Sequence, residues 1–182
     1  DVLLVFHGRH AGNTDSYENV TVRSKILELE GLPGVSVGGF IDGYHELLGE
    51  SIFCLAPRGI TPWTIHLYVA VLAGCIPVIL SDEYEVPFQD IVDWPTFSVK
   101  WPAQGVGREL YDYLASLEPR LLREMKRKVD EHACWFDYYS RDPTCSPYVA
   151  VARALQERVA RRPRYVGRYW GPGGAALPGR DR

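Results

Sequence analysis

Runs of unbroken apolar residues alternate with segments of mixed polarity over the first hundred positions. Val2 to Phe6, Ile52 to Ala56 and Ile76 to Leu80 are apolar throughout and of strand length, and Val35 to Val37 is a shorter run of the same kind. Strands without a polar face belong to a sheet covered on both sides. Between the first runs lie a segment from Tyr17 to Glu30 with apolar residues at helical spacing, a turn at Gly31 to Gly34, and a brief helix from Tyr44 to Gly49. Thr61 reads as an N-cap with Pro62 at the first helical position, and the helix then runs to Ala73, where Gly74 ends it. That segment is apolar nearly all round, the pattern of a helix packed between a sheet and a second layer. Apolar strands joined by helical crossovers run parallel. The pattern therefore predicts an α/β fold, a parallel sheet with flanking helices.

Farther along, Ser81 to Pro87 reads as a loop, Phe88 to Trp94 as a short helical turn and Thr96 to Trp101 as a last strand. Helices follow from Glu109 to Leu117, Arg120 to Tyr139 and Tyr148 to Ala160, with Pro119, Pro143 and Pro147 as punctuation. These segments make one domain over residues 1–160, and the Arg, Gly and Pro-rich stretch 161–182 is expected to be a disordered tail.

Composition narrows the classes. The 182 residues, 46% hydrophobic, suit one core. A net charge of -3 supplies no broad basic face for nucleic acid. The longest apolar run, Leu67 to Leu80, is shorter than the roughly 20 residues of a spanning helix and contains Gly74 and Pro77. The chain opens at Asp1 straight into an apolar strand, which reads as a fragment with any targeting signal or anchor upstream. Its four cysteines lack the paired short spacing of a zinc site. Cys54 and Cys75, in apolar runs, are expected to be buried thiols, whereas Cys134 and Cys145 could bridge in an oxidising compartment. Asn19-Val20-Thr21 is a glycosylation sequon, relevant only in the secretory pathway.

Ligands of open parallel sheets bind beyond the carboxyl ends of the strands. Three loops meet that description: His7 to Asp15, Pro57 to Thr61 and Ser81 to Phe88. In the second, Gly59 lets backbone approach a ligand, and the start of the next helix, with Thr61 and Thr64, offers free amides and partial positive charge. Arg58 adds a formal charge, and Arg9 reaches over from the first loop as a planar partner for an anion. His7 and His10 lie in the same ligand-facing loop and are candidate donors or acid–base groups, with an idle loop histidine the plainer reading for His10. Asp82, Glu83 and Glu85 read first as a solvated turn, not a metal site. Neither G-x-G-x-x-G nor G-x-x-x-x-G-K-[ST] occurs, against dinucleotide and P-loop classes.

The runs SIFCLAPRG, AGCIPVILSD and EVPFQDIVDWPTFSV, in that order between Ser51 and Lys100, resemble the donor-binding half of the exostosin family, glycosyltransferase family 47. The likeness extends more weakly to Val2 to Gly8, Arg23, Tyr44 and Trp135 to Tyr139. It implies the C-terminal, Rossmann-like half of a GT-B enzyme, with an N-terminal acceptor domain and a membrane anchor upstream, working in the Golgi or ER lumen. It also implies an inverting transfer from a nucleotide-diphosphate sugar, a UDP-sugar, to a glycan or glycoprotein acceptor, with no cofactor and no metal. Arg9, Arg23, Arg58, Gly59, Thr61, Thr64 and His66 would then surround the diphosphate, with Ser81, Asp82 and Glu85 as further donor contacts and the catalytic base outside this chain. One departure stands out. Where the family's helix carries an Arg and, three residues on, an acidic residue, this chain has His66 and Val69, so a catalytically inactive nucleotide- or glycan-binding relative is the alternative. An unrelated α/β phosphate-binding regulator is a third reading.

Overall fold

The computed structural model describes residues 2–9, 17–160, 170–171 and 173. Five strands, β1 (Val2–His7), β2 (Val35–Gly38), β3 (Ser51–Pro57), β4 (Ile76–Leu80) and β5 (Val99–Lys100), form one sheet in the order β2-β1-β3-β4-β5. Every neighbouring pair is parallel, with Leu4 opposite Phe53 and Phe53 opposite Ile76. The apolar runs form the strands because both faces are covered. Leu4 and Phe6 join the larger core with Val22 and Ile26 of α1 (Tyr17–Leu27), while Val5 and Cys54 turn to a second layer with Leu48 of α2 (Tyr44–Glu50). Full burial of a side chain such as Phe6 or Phe53 contributes roughly 1.5–3 kcal/mol. The result is a Rossmann-like doubly wound layer.

Helix α3 (Ile65–Leu72) follows β3 and buries Leu67, Ala70 and Val71. Helices α4 (Arg108–Ala115), α5 (Pro119–Ala133) and α6 (Pro147–Ala160) complete the order. Leu110 and Leu114 of α4, with Met125 and Val129 of α5, are fully buried. Among the described residues no helix is long and apolar enough to cross a membrane.

Five local expectations change. The helix after β3 begins at Ile65, not Pro62, because Thr64 is the cap and its hydroxyl accepts from the His66 amide at 3.3 Å. The strand expected over Thr96 to Trp101 shortens to β5, since Trp94–Thr96 coils as a 3-10 turn with Ser98 Oγ donating to the Trp94 carbonyl. The long helix stops at Ala133, where Cys134 bonds to Cys145. Cys54 and Cys75 are not thiols: the parallel register brings their Cα atoms to 5.8 Å and they form a second disulfide. The tail from residue 161 lies mostly outside the described residues, but disorder does not hold at Trp170, which is buried and bridges to Lys100 beside β5.

Candidate functional site

Strand β1 lies between β2 and β3, so the chain moves to one side of β1 and then to the other. The carboxyl ends of β1 and β3 therefore flank a topological switch point, whose crevice is the usual ligand position in such sheets. Gly8 and Arg9 follow β1, and Arg58 and Gly59 follow β3, on the two lips of this crevice.

Arg23, on α1, ties the lips together. Its Nη1 donates to the Arg9 carbonyl and its Nη2 to the Arg58 carbonyl at 3.2 Å, with the guanidinium carbon 5.6 Å from the centroid of the Phe6 ring. Its Nε is buried with no hydrogen-bond partner. Burial, and then the like charge of Arg9, lower the Arg23 pKa. Arg9 and Arg23 thus bring two positive charges close enough for one to lower the pKa of the other, an arrangement that an anion relieves.

His66 closes the inner wall. Its ring lies 5.1 Å from Phe6, its Nδ1 is 3.4 Å from the Tyr44 hydroxyl, and a Cβ on Gly8 would meet its Nε2 at 3.2 Å. Burial, followed by the Arg23 charge, pushes its pKa down to about 4. The imidazole is therefore neutral near pH 7 and offers a hydrogen bond but no charge. His7 is not a ligand-facing acid or base: Nδ1 donates to the Gly39 carbonyl at 2.9 Å and Nε2 accepts from Ser36 Oγ at 3.0 Å, which locks β1 to β2.

Of the remaining candidates, Gly59, Thr64, Ser81 and Asp82 have structural tasks. Gly59 has no room for a side chain, since a Cβ would stand 2.6 Å from the Trp63 carbonyl oxygen, and its amide donates to that oxygen at 3.1 Å. Thr61 is exposed on the same loop, while Thr64 is buried as the helix cap. Ser81 Oγ donates to the Pro62 carbonyl at 3.0 Å, and Asp82 accepts from the Ala103 amide at 2.9 Å. Glu85 is exposed. The structure thus gathers Arg9, Arg23, Arg58 and His66, whereas Ser81 and Asp82 serve the loop architecture. His10 lies outside the described residues. Tyr44 and Gly8 are the neighbours that sequence reasoning left without a role; a glycine directly after a strand was the available signal. Among the described residues no three His, Cys, Asp or Glu side chains are placed to hold a metal ion.

The exostosin GT47 domain model matches residues 1–117 of the 182. The chain is 33% identical over 125 residues to an Arabidopsis thaliana protein named "Probable glucuronoxylan glucuronosyltransferase", which covers 65% of this chain and 28% of that protein. It is 36% identical over 93 residues to exostosin-2 of Bos taurus, covering 51% of this chain and 12% of the relative. It is 37% identical over 84 residues to a "Probable beta-1,4-xylosyltransferase" of Arabidopsis thaliana, 46% of this chain and 20% of the relative. The chain thus spans only a minor part of these longer relatives. With the domain model matched over most of its length, from β1 through α4, the chain belongs to the exostosin GT47 family.

Proposed function

We propose that this chain is the nucleotide-sugar-binding part of an inverting glycosyltransferase that moves a sugar from a UDP-sugar to a glycan or glycoprotein acceptor. The observation that carries the reading is the Arg23 clamp, which brings the Arg9 and Arg58 loops together at the switch point between β1 and β3. In the transfer, an acceptor hydroxyl attacks the anomeric carbon while its bond to the distal phosphate oxygen breaks. Negative charge then collects on the departing UDP. Arg9 and Arg58 neutralise it, Arg23 positions them, and His66 supplies a neutral hydrogen bond. The proton of the attacking hydroxyl goes to a base outside this chain, in an N-terminal acceptor domain. In this reading the donor is a substrate, and the arginines do the neutralising without a cofactor. The two disulfides support an oxidising compartment, the lumen of the ER or Golgi, with the membrane anchor elsewhere in the polypeptide.

A second reading, a binding relative without activity, is favoured by one observation. His66 carries no charge near pH 7, and Val69 packs against the second core layer instead of facing a ribose. Titration calorimetry with UDP tests both. Loss of a charged hydrogen bond in Arg58→Ala, worth about 1.5–3 kcal/mol, weakens UDP binding roughly ten- to hundredfold. Equal affinity in the two proteins removes the phosphate seat, and no saturable binding to the unsubstituted chain at millimolar UDP favours the inactive relative.

A further inference from the structure

The loop that follows β3 also carries an exposed apolar strip. Ile60, Trp63 and Ile65 are 73%, 48% and 54% exposed, all between β3 and the first turn of α3. The backbone beneath them is pinned. Gly59 donates to the Trp63 carbonyl, Ser81 donates to the Pro62 carbonyl, and Thr64 caps α3. The indole is braced from behind by Tyr68, 6.1 Å between ring centroids; Tyr68 is itself held by the Tyr84 hydroxyl at 3.0 Å and by the Phe136 ring at 6.0 Å. Trp63 is thus half-exposed yet fixed, and a fixed aromatic surface has little freedom left to lose when a ligand covers it.

We propose that Trp63 is the platform on which an acceptor glycan stacks. A pyranose ring lays its C–H face on the indole, Ile60 and Ile65 extend the apolar strip toward adjoining sugar units, and the exposed Thr61 offers its hydroxyl to theirs. The strip suits a glycan chain, because the exposed Thr61 hydroxyl sits among its apolar residues and matches a sugar's mix of C–H faces and hydroxyls. It also adjoins the arginine cleft through Gly59, where the attacking hydroxyl has to arrive. This inference rests on the transferase reading.

Ligand-observed NMR on the full 182-residue chain tests it with UDP and, separately, with a panel of xylan and glucuronoxylan oligosaccharides. At least one oligosaccharide binds; Trp63→Ala weakens that binding at least about tenfold, Trp63→Phe holds it within about threefold, and UDP affinity in Trp63→Ala stays within about twofold. Arg58→Ala has the opposite profile, losing UDP and keeping the glycan. The platform is overturned if no oligosaccharide of the panel binds, if Trp63→Ala binds glycan as well as the unsubstituted chain, or if it loses UDP instead, which marks a nucleobase shelf. Unchanged UDP affinity in Arg58→Ala alongside glycan loss in Trp63→Ala sinks the phosphate seat and leaves the platform standing.

Discussion

His66 sits between the packing of Phe6 and Tyr44 and the charge of Arg23, and its titration records both. In the unfolded chain a histidine takes up its proton near pH 6.5, while the folded one waits until about 4. Between those values the unfolded state binds more protons, so stability falls as the pH drops through that window and is unaffected by this group above it. The slope is at most about 1.4 kcal/mol per pH unit, reduced by whatever solvent reaches the ring. Thermal melts at about pH 7 and about pH 4.5 should show a larger loss for the unsubstituted chain than for His66→Gln; equal losses contradict the buried, neutral imidazole. At this scale, sequence discloses part of the site. Arg9 and Arg58 are legible because each follows an apolar strand. The clamp made by Arg23 is not, because it depends on where α1 lands against β1 and β3, and the neutrality of His66 depends on the same distant contacts.

The start of α3 shows where local signals stop being sufficient. Thr61-Pro62 has the chemistry of a helix start, yet the helix begins after Thr64. Residues 59–63 are held out of it by Gly59, whose amide takes the Trp63 carbonyl, and by Ser81 at the end of β4, whose hydroxyl takes the Pro62 carbonyl. The second of these bonds comes from 19 residues away and cannot be read from a window. The two threonines should therefore respond differently to alanine. Thr64→Ala removes the cap and costs roughly 0.5–2 kcal/mol, whereas Thr61→Ala, on the exposed loop, stays within about 0.5 kcal/mol. Urea unfolding of both variants checks the ranking, and the reverse order would return the cap to Thr61. Strands β1, β3 and β4 are plainer in sequence because burial on both faces makes them apolar without interruption. Strand β5 is less so, since a 3-10 turn over Trp94–Thr96 runs into the start of its apolar run and only Val99–Lys100 remains as strand.

Across the whole molecule, the parallel sheet has two edges, β2 on one side and the two-residue β5 on the other. An open edge invites pairing with another chain. Here Trp170 covers it. The Lys100 amide donates to the Trp170 carbonyl at 2.9 Å, the Trp170 amide returns a bond at 3.3 Å, and the indole Nε1 donates to Ser98 Oγ at 3.2 Å. The Lys100 ammonium donates to the Tyr84 carbonyl at 2.7 Å and lies 5.6 Å from the indole centroid. Composition hides this contact because a single tryptophan among Arg, Gly and Pro leaves no periodic signal, just as the pairing of Cys54 with Cys75 is hidden until the register of β3 and β4 is known. With Trp170 only 3% exposed, Trp170→Ala should cost about 3–5 kcal/mol, a large share of the roughly 5–15 kcal/mol that holds a domain together. Denaturant unfolding measures that loss, and light scattering should register self-association as the β5 edge opens. Because Trp170 abuts β5 and the arginine cleft lies between β1 and β3, UDP affinity of the folded fraction should be unchanged. A stable, monomeric Trp170→Ala protein would show that the edge needs no cover, and a loss of UDP binding in its folded fraction would show that the far edge and the cleft are coupled.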